Sequence, residues 1–278
     1  MSRPARAKLV ICLLMGCGIL PTSLGAQTPP PDDAVLNLAQ PDFTAVNLPT
    51  SLRLPKWKSA FRLTHRFTRP LNCDEQRCPD NWLEDLFGLD EGALIGLEFR
   101  MGVAPNTQVG IQRARIDKTI DIFGQYALTR QSDGMPFEIA ARLGIEGTDN
   151  FRDAYSPTIG AVVSRFIGDR AAIHVEPFWA GNTNLQSDEG DDATFLVGFA
   201  LRWRVLDTVY LIGEYTPRVA GYQPGVDNAS FAIEKRVGGH VFQLNISNTF
   251  AGTIGQLAQG ALEGNDWYLG FNLTRKFY

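Results

Sequence analysis

The sequence predicts an all-β protein, an antiparallel up-and-down transmembrane β-barrel of about 12 strands. Two patterns support this fold class: apolar and charged residues alternate along segments of about ten residues, and short turns alternate with long polar loops between those segments. The amino-terminal segment adds a third observation, because it has the features of an export signal. We therefore expect a chain that leaves the cytoplasm and crosses a membrane with its strands.

The chain begins with a segment that is typical of a cleavable signal peptide. Three basic residues within the first eight precede an apolar run at 9–20, which is too short to span a bilayer as a helix. Small residues follow, so we expect residues 1–26 to be removed on export. Residues 14–17 loosely resemble a lipoprotein box, and lipidation of Cys17 in place of its removal is the alternative.

The composition of the mature part excludes two classes of protein. No stretch of 18 apolar residues follows residue 26, so a helical membrane protein is excluded. The chain is nevertheless 44% hydrophobic, with 17 Phe and 5 Trp, as expected when every second strand residue meets lipid. The net charge is −4 and the pI is about 5.5, which gives no basic field for nucleic acid.

Residues 27–56 form a Pro-rich segment between the signal peptide and the first strand. Six prolines fall in this range, and proline is disfavoured in helix interiors and in sheet ladders. We expect an extended periplasmic arm that tethers the barrel loosely. The alternative is that the arm folds up into the mouth of the barrel.

The barrel is predicted at residues 57–278. In the first strand, Arg62 and Arg66 share a polar face opposite Phe61, because successive side chains of a strand point to opposite faces. A soluble β-sandwich would show the same alternation, so the pattern alone leaves both architectures open. The candidate strands lie near 57–68, 93–102, 107–114, 119–129, 137–145, 158–166, 171–180, 194–204, 208–216, 229–235, 240–250 and 266–278.

The connections between these strands favour the barrel. Transmembrane barrels have short periplasmic turns and long outer loops, whereas a sandwich has no reason to alternate them. The long polar connections are 69–92, 146–157, 181–193, 217–228 and 251–265. The short turns are 103–106, 130–136, 167–170, 205–207 and 236–239. Only 115–118 departs from the rhythm, because it is short where a long loop is expected.

The carboxyl-terminal strand resembles the signal that outer-membrane proteins present to their insertion machinery. Its apolar residues alternate up to an aromatic residue at the end of the sequence. We therefore expect outer-membrane lipid and the barrel-insertion machinery as partners, and the outer membrane of a Gram-negative bacterium as the location. The predicted membrane-insertion signal consists of Trp267, Leu269, Phe271, Leu273, Phe277 and Tyr278.

The polar faces of the strands predict a charged inner wall. A charged residue that faces lipid at the membrane midplane costs roughly 2–4 kcal/mol for Arg or Lys, so these side chains are expected to line the lumen. They either form ion pairs that fill a narrow barrel or line a hydrated pore for a small polar solute. The lumen-lining candidates are Arg62, Arg66, Glu98, Arg100, Asp121, Glu138, Arg142, Glu176, Arg202, Arg204, Glu214 and Glu234.

The residues that could carry chemistry are few. Cys73 and Cys78 are expected to form a disulfide in an oxidising envelope. They lack the neighbouring ligands of a metal site, and no cofactor is expected. His174 shares its polar face with Glu176, but no nucleophile with an orienting partner can be assigned. We therefore predict no catalytic residues and a protein that is not an enzyme.

Several short phrases resemble an uncharacterised family of membrane bound beta barrel domains, a domain of unknown function. The resemblance runs in order over roughly residues 48 to 250 and implies a barrel in the envelope, without implying catalytic residues. The phrases are Leu48-Pro49-Thr50, His65-Arg66-Phe67, Phe87-Gly88-Leu89-Asp90, Thr107-Gln108-Val109-Gly110-Ile111, Asp117-Lys118-Thr119, Gly238-Gly239-His240-Val241-Phe242-Gln243-Leu244 and Ser247-Asn248.

These features predict a narrow channel for small polar solutes or a structural envelope protein. The first alternative is a barrel that binds a partner through its outer loops or its amino-terminal arm, since 82–87 is unusually apolar for a loop. The same residues could instead fold inward as a plug. An envelope lipase that uses His174 is the less favoured alternative.

Overall fold

The computed structural model describes residues 37–73, 92–185, 192–261 and 266–277. The expected signal peptide, residues 27–36, the apolar segment 82–87, Cys78 and Tyr278 lie outside these ranges. The strands are β1 (Ser59–Pro70), β2 (Ala93–Ala104), β3 (Thr107–Ala114), β4 (Ile120–Thr129), β5 (Glu138–Gly147), β6 (Asp153–Ile167), β7 (Ala171–Gly181), β8 (Ala193–Leu206), β9 (Val209–Thr216), β10 (Arg218–Gly221), β11 (Asn228–Val237), β12 (His240–Ser247) and β13 (Tyr268–Phe277).

The strands form one closed antiparallel barrel. Each strand pairs with its neighbours along the chain, and β1 pairs with β13 to close the cylinder. β9 and the short β10 together take one position, because both pair with β8 and are separated only by Pro217. The barrel therefore has 12 strand positions, which confirms the predicted fold class.

The two faces of the wall have opposite chemistry. In β8, Leu201 and Trp203 point outward and are 47% and 54% exposed, whereas Arg202 between them is fully buried. The other strands repeat this pattern, with apolar side chains outside and charged side chains inside. A soluble sandwich would bury its apolar face, so the alternative left open by the alternation is wrong.

The two ends of the barrel differ as the connection lengths predict. We call the end with the short connections, including 168–170 and 238–239, the turn end, and the opposite end the loop end. The loop end carries α1 (Thr148–Phe151) and α2 (Ile254–Gln259). Most strand limits differ from the prediction by one or two residues. Larger differences are that β6 begins at Asp153, β12 ends at Ser247, and the short β10 forms inside an expected loop. Among the described residues, no helix is long and apolar enough to cross a membrane.

Residues 38–54 fold inside the barrel as a tight hairpin, which we call the inner hairpin. At its tip the N–H of Ala45 donates to the carbonyl of Leu48 over 2.8 Å. Behind the tip, the N–H of Thr50 donates to the carbonyl of Phe43, also over 2.8 Å. The chain then leaves through the turn end, where Trp57 N–H donates to Gly102 O, and enters β1.

The inner hairpin corrects the prediction of a loose periplasmic arm for these residues. Among its apolar side chains, Phe43, Leu48 and Leu54 are 0–2% exposed. A barrel of eight strands is filled by its own side chains, whereas a wider one leaves interior space. The hairpin occupies that space, so the alternative in which the arm folds into the barrel describes residues 38–54.

A second segment enters the lumen from the loop end. The connection between β12 and β13 carries α2, whose Ile254, Leu257 and Ala258 are buried. These side chains belong to the same apolar cluster as Ala45, Val46 and Leu48 at the hairpin tip. The middle of the lumen is therefore filled from both ends.

Candidate functional site

The structure places the predicted lumen-lining residues on inward-facing strand positions, two of them at the rim of the turn end. Glu138 is only partly buried there. Arg204 forms ion pairs with Asp169 over 2.8 Å and with Asp207 over 3.2 Å. The side chains that are buried inside the barrel are Arg62, Arg66, Glu98, Arg100, Asp121, Arg142, Glu176, Arg202, Glu214 and Glu234.

Part of this wall is the ion-pair network that the alternation of charges suggests. Arg100 pairs with Glu98 over 2.8 Å, and Arg202 pairs with Glu234 over 3.0 Å. A buried charge requires a partner because its desolvation is unfavourable. These pairs lie within the wall and remain available to stabilise it whether or not the hairpin is present.

Glu214 binds the tip of the inner hairpin. Its Oε2 accepts hydrogen bonds from the backbone N–H groups of Val46 at 2.8 Å, Asn47 at 2.9 Å and Leu48 at 3.0 Å. Consecutive N–H groups that converge in this way form a concave anion-binding site. One wall carboxylate therefore satisfies three backbone donors at the point where the hairpin turns.

Arginine side chains of β1 bind the acceptor groups of the same tip. Arg62 donates to the carbonyl oxygen of Val46. Arg66 donates to Oδ1 of Asn47 and to Oδ1 of Asn272, both over 2.9 Å. Asn272 also donates to Val46 O over 3.3 Å. The tip is thus held by donors on β1 and β13 and by an acceptor on β9.

Further wall side chains donate to carbonyl groups along both legs of the hairpin. Backbone polar groups that are buried need such partners, and a hairpin this short can supply few of its own. The wall-to-hairpin bonds include Arg202 to Thr44, Gln243 to Ala45, Gln125 to Thr50, Gln108 to Leu52, Tyr210 to Leu38 and Lys276 to Pro41, at 2.6–2.9 Å.

The volume that the inner hairpin and α2 leave free inside the barrel differs between its middle and its turn end. Between the hairpin, the wall near Arg62 and Arg100, and the α2 loop lies a cavity of about 10 Å³, room for about one water molecule. At the turn end a pocket of about 620 Å³ opens beside Arg53 and Asn106. The described residues therefore close the lumen in its middle and leave its turn-end mouth open.

The comparisons with known proteins agree with this architecture. A family model described as membrane bound beta barrel domain matches residues 42–277. The chain belongs to this family. The match begins within the inner hairpin, so in this membrane bound beta barrel domain the hairpin is part of the shared domain. A search of curated proteins finds no match to the sequence.

Several solved barrels are similar to this membrane bound beta barrel domain in structure. The KdgM porin has a TM-score of 0.49 at 7% identity, and the NanC porin has 0.49 at 6%; each comparison covers 80% of this chain and 99% of the other. An outer membrane channel from Pseudomonas putida F1 has a TM-score of 0.44 at 10% identity, covering 81% and 97%. These likenesses are distant in sequence and concern the fold alone.

The histidine that the sequence singles out has a different partner from the expected one. His174 and Glu176 both point into the barrel, but the Nδ1 atom of His174 lies 2.8 Å from the hydroxyl of Ser164. Glu176 has no hydrogen-bond partner among the described residues. Ser164 and His174 are buried inside the membrane bound beta barrel domain, away from the face that meets lipid.

The described residues of the predicted insertion signal lie outside the lumen. Leu269, Phe271, Leu273 and Phe277 all lie on the outer face of β13, as the proposed insertion signal requires, and the signal itself stays a prediction. Cys73 follows β1, and its predicted pairing with Cys78 also stays a prediction.

The sequence-based reasoning missed the polar amides that bind the hairpin. Asn272 and the three glutamines Gln108, Gln125 and Gln243 lie on inward-facing positions of their strands. Because only charged residues were selected, these neutral donors were passed over. Strand parity, applied to every polar residue, would have found them.

Proposed function

We propose that this protein is a channel for small polar solutes, closed in the present conformation by the inner hairpin and the α2 loop. In this proposal residues 1–26 direct export, and the barrel resides in the outer membrane of a Gram-negative bacterium. The turn end faces the periplasm and the loop end faces outward, as in barrels with short periplasmic turns and long outer loops. Outer-membrane lipid contacts the apolar outer face.

The observation that supports the proposal most is the polar character of the contact between hairpin and wall. Glu214, Arg62, Arg66 and the wall amides hold the hairpin by hydrogen bonds. Water can replace such bonds, so each contributes only about 0.5–1.5 kcal/mol net, or about 1.5–3 kcal/mol when one group is charged. The hairpin is therefore held in a specific position, but water and solute can replace its hydrogen bonds to the wall.

The barrel is wide enough to contain a passage once the inner hairpin has left the lumen. Eight strands leave room only for side chains, and 16–18 strands leave an aqueous channel. With 12 strand positions, this wall encloses an intermediate space that the inner hairpin and α2 now occupy. Removal of the hairpin would expose a wall of charged and amide side chains to water.

Planar-bilayer conductance of a variant that lacks residues 38–54 tests the proposal. The variant is first shown to be a closed barrel by heat-modifiable migration in detergent, with the full chain as reference. We expect steady conductance from the deletion variant and mostly closed recordings from the full chain. Absence of conductance from a correctly folded deletion variant would contradict closure of the channel by the hairpin alone.

A structural envelope protein is the second candidate, and the α2 loop favours it. α2 is anchored independently of the hairpin, since Asn228 donates to Leu257 O over 2.8 Å and Gln112 donates to Gly252 O over 2.8 Å. If this loop alone closes the lumen, deletion of the hairpin leaves the barrel silent. A variant that lacks both the hairpin and 252–260 then separates a doubly closed channel from a purely structural barrel.

A further inference from the structure

The wall binds Val46 at the hairpin tip through both its backbone N–H and its carbonyl oxygen. Its N–H donates to Glu214 Oε2 over 2.8 Å. Its carbonyl oxygen accepts from the guanidinium of Arg62 and from Asn272 Nδ2, the latter over 3.3 Å. The order of these atoms, nitrogen, Cα, carbonyl carbon and oxygen, is the order found in every free α-amino acid.

The side chain of Val46 lies in an apolar environment beside these polar groups. It is fully buried in a cluster that includes Ile212 and Ala232 of the wall. Ile212 is two residues from Glu214 on the inward face of β9, and Ala232 pairs with Ile212 in the sheet. The apolar side chains of β9 and β11 therefore lie beside Glu214 of β9. The other two side chains that bind Val46, Arg62 and Asn272, lie on β1 and β13.

In the closed state the hydrogen bonds of Arg62 and Glu214 to the hairpin tip all go to neutral backbone groups. Among the described residues, neither Arg62 nor Glu214 lies within ion-pair distance of an opposite charge. Arg62 binds a carbonyl oxygen, and Glu214 binds backbone N–H groups. A ligand with a carboxylate and an ammonium would make both contacts charge-assisted, and such bonds are roughly twice as strong.

We propose that, once the inner hairpin has left, Glu214, Arg62 and Asn272 bind the zwitterion of an α-amino acid with an apolar side chain. The ammonium binds Glu214, the carboxylate binds Arg62 and Asn272, and the side chain takes the place of that of Val46. The inference rests on the proposed function, because the site opens only when the hairpin is displaced.

Calorimetric titration of the hairpin-deleted barrel with L-valine tests the site. The comparison ligands are valine amide, which lacks the carboxylate, and 3-methyl-2-oxobutanoate, which lacks the ammonium. Removal of one partner of a buried charge pair costs about 2–5 kcal/mol, so we expect each analogue to bind at least roughly thirtyfold more weakly. Glu214→Gln and Arg62→Gln should weaken L-valine similarly.

Asp121→Asn is the matched control, because Asp121 is an inward-facing carboxylate that pairs with Arg142 over 3.6 Å, and among the described residues no hydrogen bond joins it to the hairpin tip. It should leave the affinity for L-valine unchanged. Equal affinity for L-valine and its two analogues, or no binding of L-valine to a folded barrel, would overturn the site. Conductance of the same preparation reports on the channel separately, so the two proposals can fail independently.

The full chain provides a second test if the deletion variant does not fold. Ala45 is fully buried at the hairpin tip, so a maleimide labels an Ala45→Cys variant only when the hairpin leaves the wall. L-valine competes for Glu214 and Arg62 and should accelerate labelling, whereas the two analogues should not. An unchanged labelling rate at saturating L-valine would overturn the proposal.

Discussion

At the scale of single residues, the proposed closure of the channel depends on how wall side chains hold the inner hairpin. Inward parity identified the charged residues of the wall from the sequence, since a period of two fixes which face each residue occupies. It could not identify what they bind. Glu214 and the hairpin tip are separated by 166–168 residues in the chain, and no local pattern reports a contact of that range.

Substitution of Glu214 should loosen the hairpin more than any other single change in the wall. Glu214→Ala removes the acceptor of three backbone N–H groups. Each charged hydrogen bond contributes about 1.5–3 kcal/mol, so we expect the loss of three to increase hairpin release by at least roughly thirtyfold. Maleimide labelling of Ala45→Cys in this background measures release. An unchanged rate would mean that Glu214 does not hold the tip.

Gly198 provides a steric test of the same contact. A Cβ at this position would lie 2.6 Å from both methyl groups of Leu48, so Gly198→Ala should displace the hairpin by overpacking, at about 1–3 kcal/mol. A second substitution, Leu48→Ala, should restore part of the loss. Gly124→Ala is the control, since nothing lies within 4 Å of a Cβ there. Equal effects at both glycines in unfolding and labelling assays would contradict this packing.

At the scale of elements, the strands were predictable and the hairpin was not. Each strand can be predicted from its own sequence, because apolar residues on one face alternate with polar residues on the other. The inner hairpin has no such period: it is folded by partners on β1, β9, β12 and β13. Its prolines correctly indicate that the segment is neither a helix nor a sheet strand. They do not indicate which side chains of the wall its backbone groups bind.

The link between the hairpin and β1 has a strained backbone. Trp57 has a φ of 65° in the left-handed region, where a residue with a side chain is disfavoured by roughly 1–2 kcal/mol. Trp57→Gly should therefore be about 1 kcal/mol more stable than Trp57→Ala, which loses the same ring and keeps the strain. Urea unfolding in lipid vesicles compares the two. A more stable alanine variant would show that this geometry is not retained in the membrane.

At the scale of the whole molecule, closure of the sheet explains the reversal of its faces. Once β1 meets β13 there is no free edge, so all backbone groups of the wall can be paired in the absence of water. The polar residues then enclose an interior of fixed width. That width follows from the number of strands, which the sequence predicted correctly, but its filling by the inner hairpin and α2 follows from contacts that only the folded structure reveals.

A disulfide between hairpin and wall is the measurement that tests gating by the hairpin most directly. The Cβ position of Gly198 lies 3.2 Å from Cγ of Leu48, close to the distance of about 3 Å between a cysteine Cβ and the partner sulfur in a disulfide. A Leu48→Cys/Gly198→Cys variant should therefore lock the hairpin inside the barrel. Each single variant and the unsubstituted chain, under the same reductant, control for the native cysteines.

Planar-bilayer conductance of the Leu48→Cys/Gly198→Cys variant, recorded before and after reduction of the disulfide, tests whether the inner hairpin gates the lumen. We expect no openings while the disulfide is intact, and openings after reduction that exceed those of the oxidised form in the same membrane. Equal conductance before and after reduction, with the disulfide shown to be formed and then broken, would contradict gating by the inner hairpin.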